Sequence, residues 1–205
     1  AGKLPGIKGQ EIVGKIQPAA SAITVADTKY AIAKFPKVKG IVTGPSTLAH
    51  GLHISTPMYR NTEELALDLA AALVVEARSL EAAGAAVLQI DEPILSTGVA
   101  DLTIGKQAVE LIASSVRIPV CMHVCGNIAN VIDEILKYNV SVFDFEFSNN
   151  QANLDIISRR DLTGHMLGYG CVDSSVETVE TVPEIKKRIE KAVEYFDPKI
   201  LLIDP

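Results

Sequence analysis

The sequence predicts an α/β fold: a TIM (β/α)8 barrel, incomplete in this chain. Three observations lead there. Apolar strand-like runs alternate with helical patterns along almost the whole chain, as right-handed βαβ units and a parallel sheet require. The polar residues of those runs gather at their C-terminal ends, as Thr43, Asp91 with Glu92, His123 with Cys125, Glu146 and Asp204; a barrel builds its active site at that face. No glycine-rich phosphate fingerprint follows any strand, which weakens the alternative of a doubly wound nucleotide-binding sheet. Seven strand-like runs are present and the chain stops on the last of them, whereas a barrel needs eight.

Taken in order, Glu11 to Ile16 ("EIVGKI") reads as a strand and Val25 to Phe35 as a helix. Lys39 to Pro45 ("KGIVTGP") reads as a strand ending in a Gly-Pro turn. Asn61 to Gly84 is the clearest helix: Asn61 or Thr62 caps it, acids crowd its first turn, and Gly84 stops it. Ala85 to Pro93 ("AAVLQIDEP") is a continuous apolar run ending in two carboxylates and a proline, which suits a strand buried on both faces. The cycle then repeats. A helix around Lys106 to Ser114 leads into strand Ile118 to Val124, and a helix from Ile128 to Leu136, capped by Asn127, leads into Val140 to Ser148. A short helix near Leu154 to Arg159 leads into Gly164 to Gly170. Pro183 opens a helix reaching Tyr195, and Lys199 to Pro205 is a last apolar strand. No linker or break in composition divides the chain, so residues 1–205 read as a single domain.

Composition narrows the function. With 48% apolar and 21% charged residues the chain is globular, not disordered. A net charge of −6 argues against non-specific binding to nucleic acid or to an anionic membrane. Three cysteines, an odd count, do not form a disulfide framework and fit a reducing cytoplasm. The opening "AGKLPGIKGQ" has no apolar signal core, and no segment reads as a membrane span.

The chemistry centres on "PVCMHVCGN". His123 and Cys125 are two apart, so on a strand they point the same way. An imidazole nitrogen and a thiolate on one face suit Zn2+; from spacing alone, a buried His beside a buried Cys explains the pair better. Glu146 ends the next run, 21 residues after Cys125, on what should be the neighbouring strand. In "FDFEFS" the three phenylalanines share one face and Asp144, Glu146 and Ser148 the other, so Glu146 would face the space of His123 and Cys125. Asp91 and Glu92 end the strand before, one side chain pointing in and one out; a carboxylate there could bind an ammonium group, or cap a loop. The glycines of "GYGCVDSS" permit close approach of a ligand, or make an ordinary tight loop. His50 and His53 fall in a loop after "TGPSTL", His165 has no partner at ligand spacing, Cys121 reads as core and Cys171 as an incidental loop residue.

"VKGIVTGPSTLAH", "LEAAGAAVLQIDEP", "MHVCGN", "FDFEFS" and the closing "LLIDP" stand in an order and spacing that resemble the C-terminal catalytic barrel of cobalamin-independent methionine synthases, particularly the short archaeal type. The resemblance runs from about Glu11 to Pro205. It implies a zinc ion held by His123, Cys125, Glu146 and a further Cys of a "DPDCG" motif, of which this chain shows only Asp204-Pro205. It implies that Asp91 helps to bind the amino group of homocysteine, and that a zinc-activated homocysteine thiolate takes a methyl group to give methionine. It also implies two further strands ahead of the first run here, so that the barrel is partial. The folate-using members have an acid after IDEP where this chain has Thr97, a tryptophan where it has "LAHGLH", and a histidine where it has Ser175. The donor suggested is therefore a methyl-corrinoid, free or on a corrinoid protein, with a methyltetrahydrofolate-type compound as the other class. Competing readings are a corrinoid-to-coenzyme M thiol methyltransferase, whose relatives also use H-x-C, and a non-catalytic partial barrel that completes a site in another chain.

Overall fold

The computed structural model describes residues 10–205; the opening stretch without a signal core lies, but for Gln10, outside them. Eight strands and seven α-helices follow in the order β1 (Glu11–Ile12), α1 (Val25–Ile32), β2 (Lys39–Thr43), α2 (Pro45–Gly51), β3 (His53–Ile54), α3 (Thr62–Ala83), β4 (Val87–Asp91), α4 (Leu102–Ala113), β5 (Val120–Val124), α5 (Ile132–Ile135), β6 (Val142–Glu146), α6 (Ala152–Ile157), β7 (Met166–Gly170), α7 (Val182–Val193) and β8 (Leu201–Asp204). Six of the strands form one parallel sheet in the order β2-β4-β5-β6-β7-β8, while β1 pairs, among the described residues, only with β3.

The main sheet follows the pattern of buried apolar runs. Leu88, Ile90, Met122, Val124, Phe143, Phe145 and Leu167 alternate along the strands and are fully buried against the surrounding helices. The intervening residues Gln89, Asp91, Cys121, His123 and Asp144 share the other, concave side, because residues paired across a parallel ladder project to the same face. The sheet curls deeply. Lys39 on edge strand β2 and Asp204 on the opposite edge strand β8 meet across the concavity, Nζ to Oδ1 at 2.6 Å.

The signals at helix ends hold for α3, where the Asn61 side chain accepts from the Glu64 amide and Gly84 turns left-handed at φ 100°. Pro183 lies in the first turn of α7, which a Thr181–Glu184 capping box opens. Four expectations need correction. "EIVGKI" keeps only two strand residues and leaves the main sheet for β3; the hydroxyl of Tyr59 takes the Ile16 amide instead. His50 and His53 are not in a loop: His50 sits in α2, its ring Nδ1 2.9 Å from the Ser46 carbonyl oxygen, and His53 begins β3. The helix near Lys106 starts earlier, at Leu102, because Asp101 accepts from the Thr103 and Ile104 amides. The helix expected from Ile128 shrinks to Ile132–Ile135, since Asn127 caps a turn through the Ala129 amide instead of a helix.

Candidate active site

The C-terminal ends of the strands build the site level by level. Thr43 of β2 pairs in register with Asp91 of β4, Asp91 with His123 of β5, and His123 with Asp144 of β6. Asp91, His123 and Asp144 thus stand side by side on the concave face. One step further along the strands, Glu146 pairs with Gly170, and Gly170 with Asp204.

His123 is anchored by its in-register neighbour on β6. Its Nδ1 lies 3.5 Å from Asp144 Oδ2, and the Asp144 side chain is almost wholly buried. Hydrogen bonds to Asp144 and then to Cys125 raise its pKa to about 10, against the opposing effect of burial. Sequence reasoning placed Asp144 on the right face but gave it no role. Its signal was the register, which makes it the direct neighbour of His123. The room for its carboxylate comes from Gly168 of β7, where an added Cβ would stand 2.7 Å from the Cβ and Cγ of Asp144. Gly170, the other glycine of "GYG", lies against the backbone of β6, where a Cβ would come within 2.9 Å of the Phe145 carbonyl oxygen. Barrel packing therefore accounts for both glycines.

Glu146 faces the loop that follows His123 and Cys125. Its Oε2 accepts from the Gly126 amide at 3.1 Å and from the Asn150 side chain at 3.0 Å. Gly126 is left-handed (φ 89°), a conformation that favours glycine. Asn153, fully buried in α6, fastens the two loops together: its Nδ2 donates to the carbonyls of Gly126 and Glu146, both at 2.8 Å, and its Oδ1 accepts from the Ile128 amide.

Asp91 and Glu92 divide as adjacent strand residues should. Asp91 turns into the concavity, where its Oδ1 accepts from Gln89 Nε2 at 2.9 Å. Glu92 turns away and is fully buried, accepting at 2.8 Å from the Ser46 amide and from the amide and hydroxyl of Thr47 at the start of α2. Burial raises its pKa against those hydrogen bonds. Gly44 of the Gly-Pro turn is required by this carboxyl group, which a Cβ would meet at 2.2 Å. Lys39 holds the floor. Its Nζ is bonded to Asp204 and to Gln89 Oε1 at 3.1 Å and lies 3.9 Å from Asp144 Oδ2. The second carboxylate oxygen of Asp204 is buried with no partner among the described residues.

Cys121 lies within the concavity, 4.0 Å from Asp144 Oδ2, where burial drives its thiol pKa far up. Cys171 is buried core, not incidental, and its carbonyl accepts from Arg188. His165 sits at the far end of β7, with Nδ1 2.8 Å from the Val140 carbonyl oxygen. The three cysteines are free thiols.

A zinc ion suits the chemistry of His123 and Cys125, a nitrogen and a sulfur donor in mutual contact with the other ring nitrogen's side backed by a carboxylate. Among the described residues, no group of three or more His, Cys, Asp or Glu stands together as a metal cluster. The pair has the donor chemistry for the ion, while the carboxylate of Glu146 is turned to Gly126 and Asn150. No helix among the described residues is long and apolar enough to cross a membrane.

A family model described as the catalytic domain of cobalamin-independent synthases matches residues 7–205. A methionine synthase of Methanothermobacter marburgensis is 40% identical over 205 residues, which are 95% of this chain and 66% of that protein. One from Methanocaldococcus jannaschii is 39% identical over 92% of this chain and 62% of its own length. The chain thus spans just under two thirds of the length of these curated relatives. Among solved structures, a B12-independent methionine synthase from Shewanella sp. W3-18-1 in complex with selenomethionine superposes with a TM-score of 0.80 at 22% identity, covering 95% of this chain and 62% of that one. A putative vitamin-B12 independent methionine synthase from Listeria monocytogenes gives 0.75, also at 22% identity, over 95% of this chain and 65% of that one. These likenesses show the fold: the curled six-stranded sheet is part of the wall of a TIM barrel.

Proposed function

The chain belongs to the family of cobalamin-independent synthase catalytic domains, and on that premise we propose that it catalyses zinc-dependent transfer of a methyl group to the thiol of L-homocysteine, yielding methionine. The observation that supports this reading is the register at the strand ends, which sets Asp91, His123 and Asp144 side by side in one concavity, with Cys125 two residues past His123 and Glu146 two past Asp144 along the chain. His123, Cys125 and Glu146 would hold the zinc. Zinc, when bound, supplies a Lewis acid that lowers the pKa of a thiol substrate.

The protein's own residues do the rest. Asp144 receives the Nδ1 side of the His123 ring and so fixes its orientation, leaving Nε2 for the ligand role. Asn153 holds the loop after Cys125 at a fixed height above the strands. Asp91 would accept from the substrate ammonium, which sets the thiol in line with the incoming methyl group. Holding the reactants in that alignment is worth several orders of magnitude in rate. The donor is a methyl-corrinoid, free or protein-bound, or a methyltetrahydrofolate-type compound. Free thiols throughout fit a reducing cytoplasm.

The test uses the full-length protein, assayed for bound zinc and for methylation of homocysteine and of coenzyme M from methylcobalamin and from methyltetrahydrofolate. Homocysteine methylation with stoichiometric zinc is expected, and His123→Ala should lower the rate by about a hundredfold or more, the several kcal/mol that a metal-bound charge supplies. Methylation of coenzyme M alone would replace this reading with its nearest competitor. Absence of zinc together with an inert His123→Ala would leave a non-catalytic barrel.

A further inference from the structure

The concavity contains a polar connection that the chemistry proposed above does not use. It runs from Asp204 on one edge of the sheet to Asp91 near the other. Lys39 Nζ donates to Asp204 Oδ1 at 2.6 Å and to Gln89 Oε1 at 3.1 Å, and Gln89 Nε2 donates in turn to Asp91 Oδ1 at 2.9 Å. The direction of every bond is fixed. The ammonium has only protons to give, so Gln89 must present its oxygen to Lys39 and its NH2 to Asp91. One oxygen of Asp91 is thereby occupied and the carboxylate cannot turn freely. The same ammonium stands 3.9 Å from Asp144, the carboxylate beside His123.

We propose that Lys39 is a positioning residue that acts through Gln89 to aim the free oxygen of Asp91 at the ammonium group of an amino-acid thiol. The proposal rests on the reading of Asp91 as an ammonium acceptor. Three acids, Asp91, Asp144 and Asp204, converge on this space with one lysine among them. Lys39 offsets part of their mutual repulsion while the amide of Gln89 keeps it from contacting Asp91 directly. Were Lys39 to pair with Asp91 itself, that acid would be satisfied and the substrate ammonium would lose its acceptor. The glutamine thus passes on orientation without passing on charge.

The proposal predicts selectivity as well as activity. Homocysteine and its des-amino analogue 4-mercaptobutyrate carry the same thiol, and only the first has the group that Asp91 would recognise. In the full-length enzyme, Lys39→Met and Gln89→Leu are each expected to raise the KM for homocysteine about tenfold, one hydrogen bond to a charged group, and to leave that for 4-mercaptobutyrate within twofold. Lys39→Arg, which keeps the charge and the donors, should restore most of the preference. Equal losses for both thiols, or an unchanged homocysteine KM in Lys39→Met, would overturn it. Crystal structures of the same variants separate this inference from the functional reading. If wild type took no homocysteine, the function would be wrong, yet Asp91 should still rotate away from its wild-type position in Lys39→Met. An Asp91 carboxylate that stays in place in that variant would sink the relay whatever the substrate.

Discussion

Asn153 shows what a single buried side chain does here. It lies at the start of a short helix, with no exposed surface, and makes three hydrogen bonds that join the loop after β5 to the end of β6. Truncation to alanine would leave the Gly126 and Glu146 carbonyls and the Ile128 amide without partners in a site that admits little water. Asn153→Ala should therefore destabilise the protein by about 2–4 kcal/mol. Because those loops carry Cys125 and Glu146, it should also weaken Co2+ binding, followed through the thiolate-to-cobalt absorption band. Urea denaturation with a midpoint within error of wild type would refute this role. Nothing in the local sequence marked Asn153, because two of its three partners are backbone groups 25 and 27 residues away. His123 and Cys125 were legible, since an i, i+2 pair on a strand announces a shared face. Asp144 was half legible: alternation placed it correctly, but only the strand register made it the partner of His123.

Among the elements, those with strong local signals were readable and those fixed by distant contacts were not. Helix α3 was found nearly to the residue because its cap and its stop are written in Asn61 and Gly84. Helix α2 was missed because its start depends on Glu92, which reaches it from 46 residues away to take the Ser46 amide. A comparable anchor holds the segment ahead of α1. Glu76, buried in the middle of α3, accepts from the Ile23 amide and from the amide and hydroxyl of Thr24 at 2.7–2.9 Å. Burial by itself would raise the pKa of this carboxyl; the bonds from Thr24 and Ile23 outweigh it and hold the pKa below the usual value of 4.5. A carboxylate whose folded pKa lies below its unfolded one stabilises fully above the unfolded value, and the benefit disappears as pH falls through the folded value. Glu76→Gln should accordingly cost about 1–3 kcal/mol at neutral pH. The gap to wild type should close as the pH drops from about 5 toward 3. Chemical denaturation across that range measures it, and a gap that stays constant with pH would show that charge at Glu76 contributes nothing.

At the scale of the whole molecule, the six-stranded sheet has two edges, β2 and β8, which no backbone hydrogen bond joins among the described residues. Barrel curvature, however, brings their side chains together, and Lys39 with Asp204 ties the first strand of the sheet to the last across 165 residues of sequence. No reading of periodicity could show this pair, since it exists only once the whole sheet has curled. The inner strands β4 to β7 are laddered on both sides and packed beneath helices, so their amides should exchange most slowly with solvent. The edge strands should be intermediate and the two-stranded β1–β3 ribbon fastest. Asp204→Asn separates the tie from the ladders. If the ion pair holds the curl, that substitution should speed exchange in β2 as well as in β8, by about fivefold to thirtyfold for a loss of 1–2 kcal/mol, while β5 and β6 stay protected. Mass-spectrometric hydrogen exchange resolves the strands separately. Faster exchange confined to β8 would mean that the ladders alone hold the curvature and that the two edges are energetically independent.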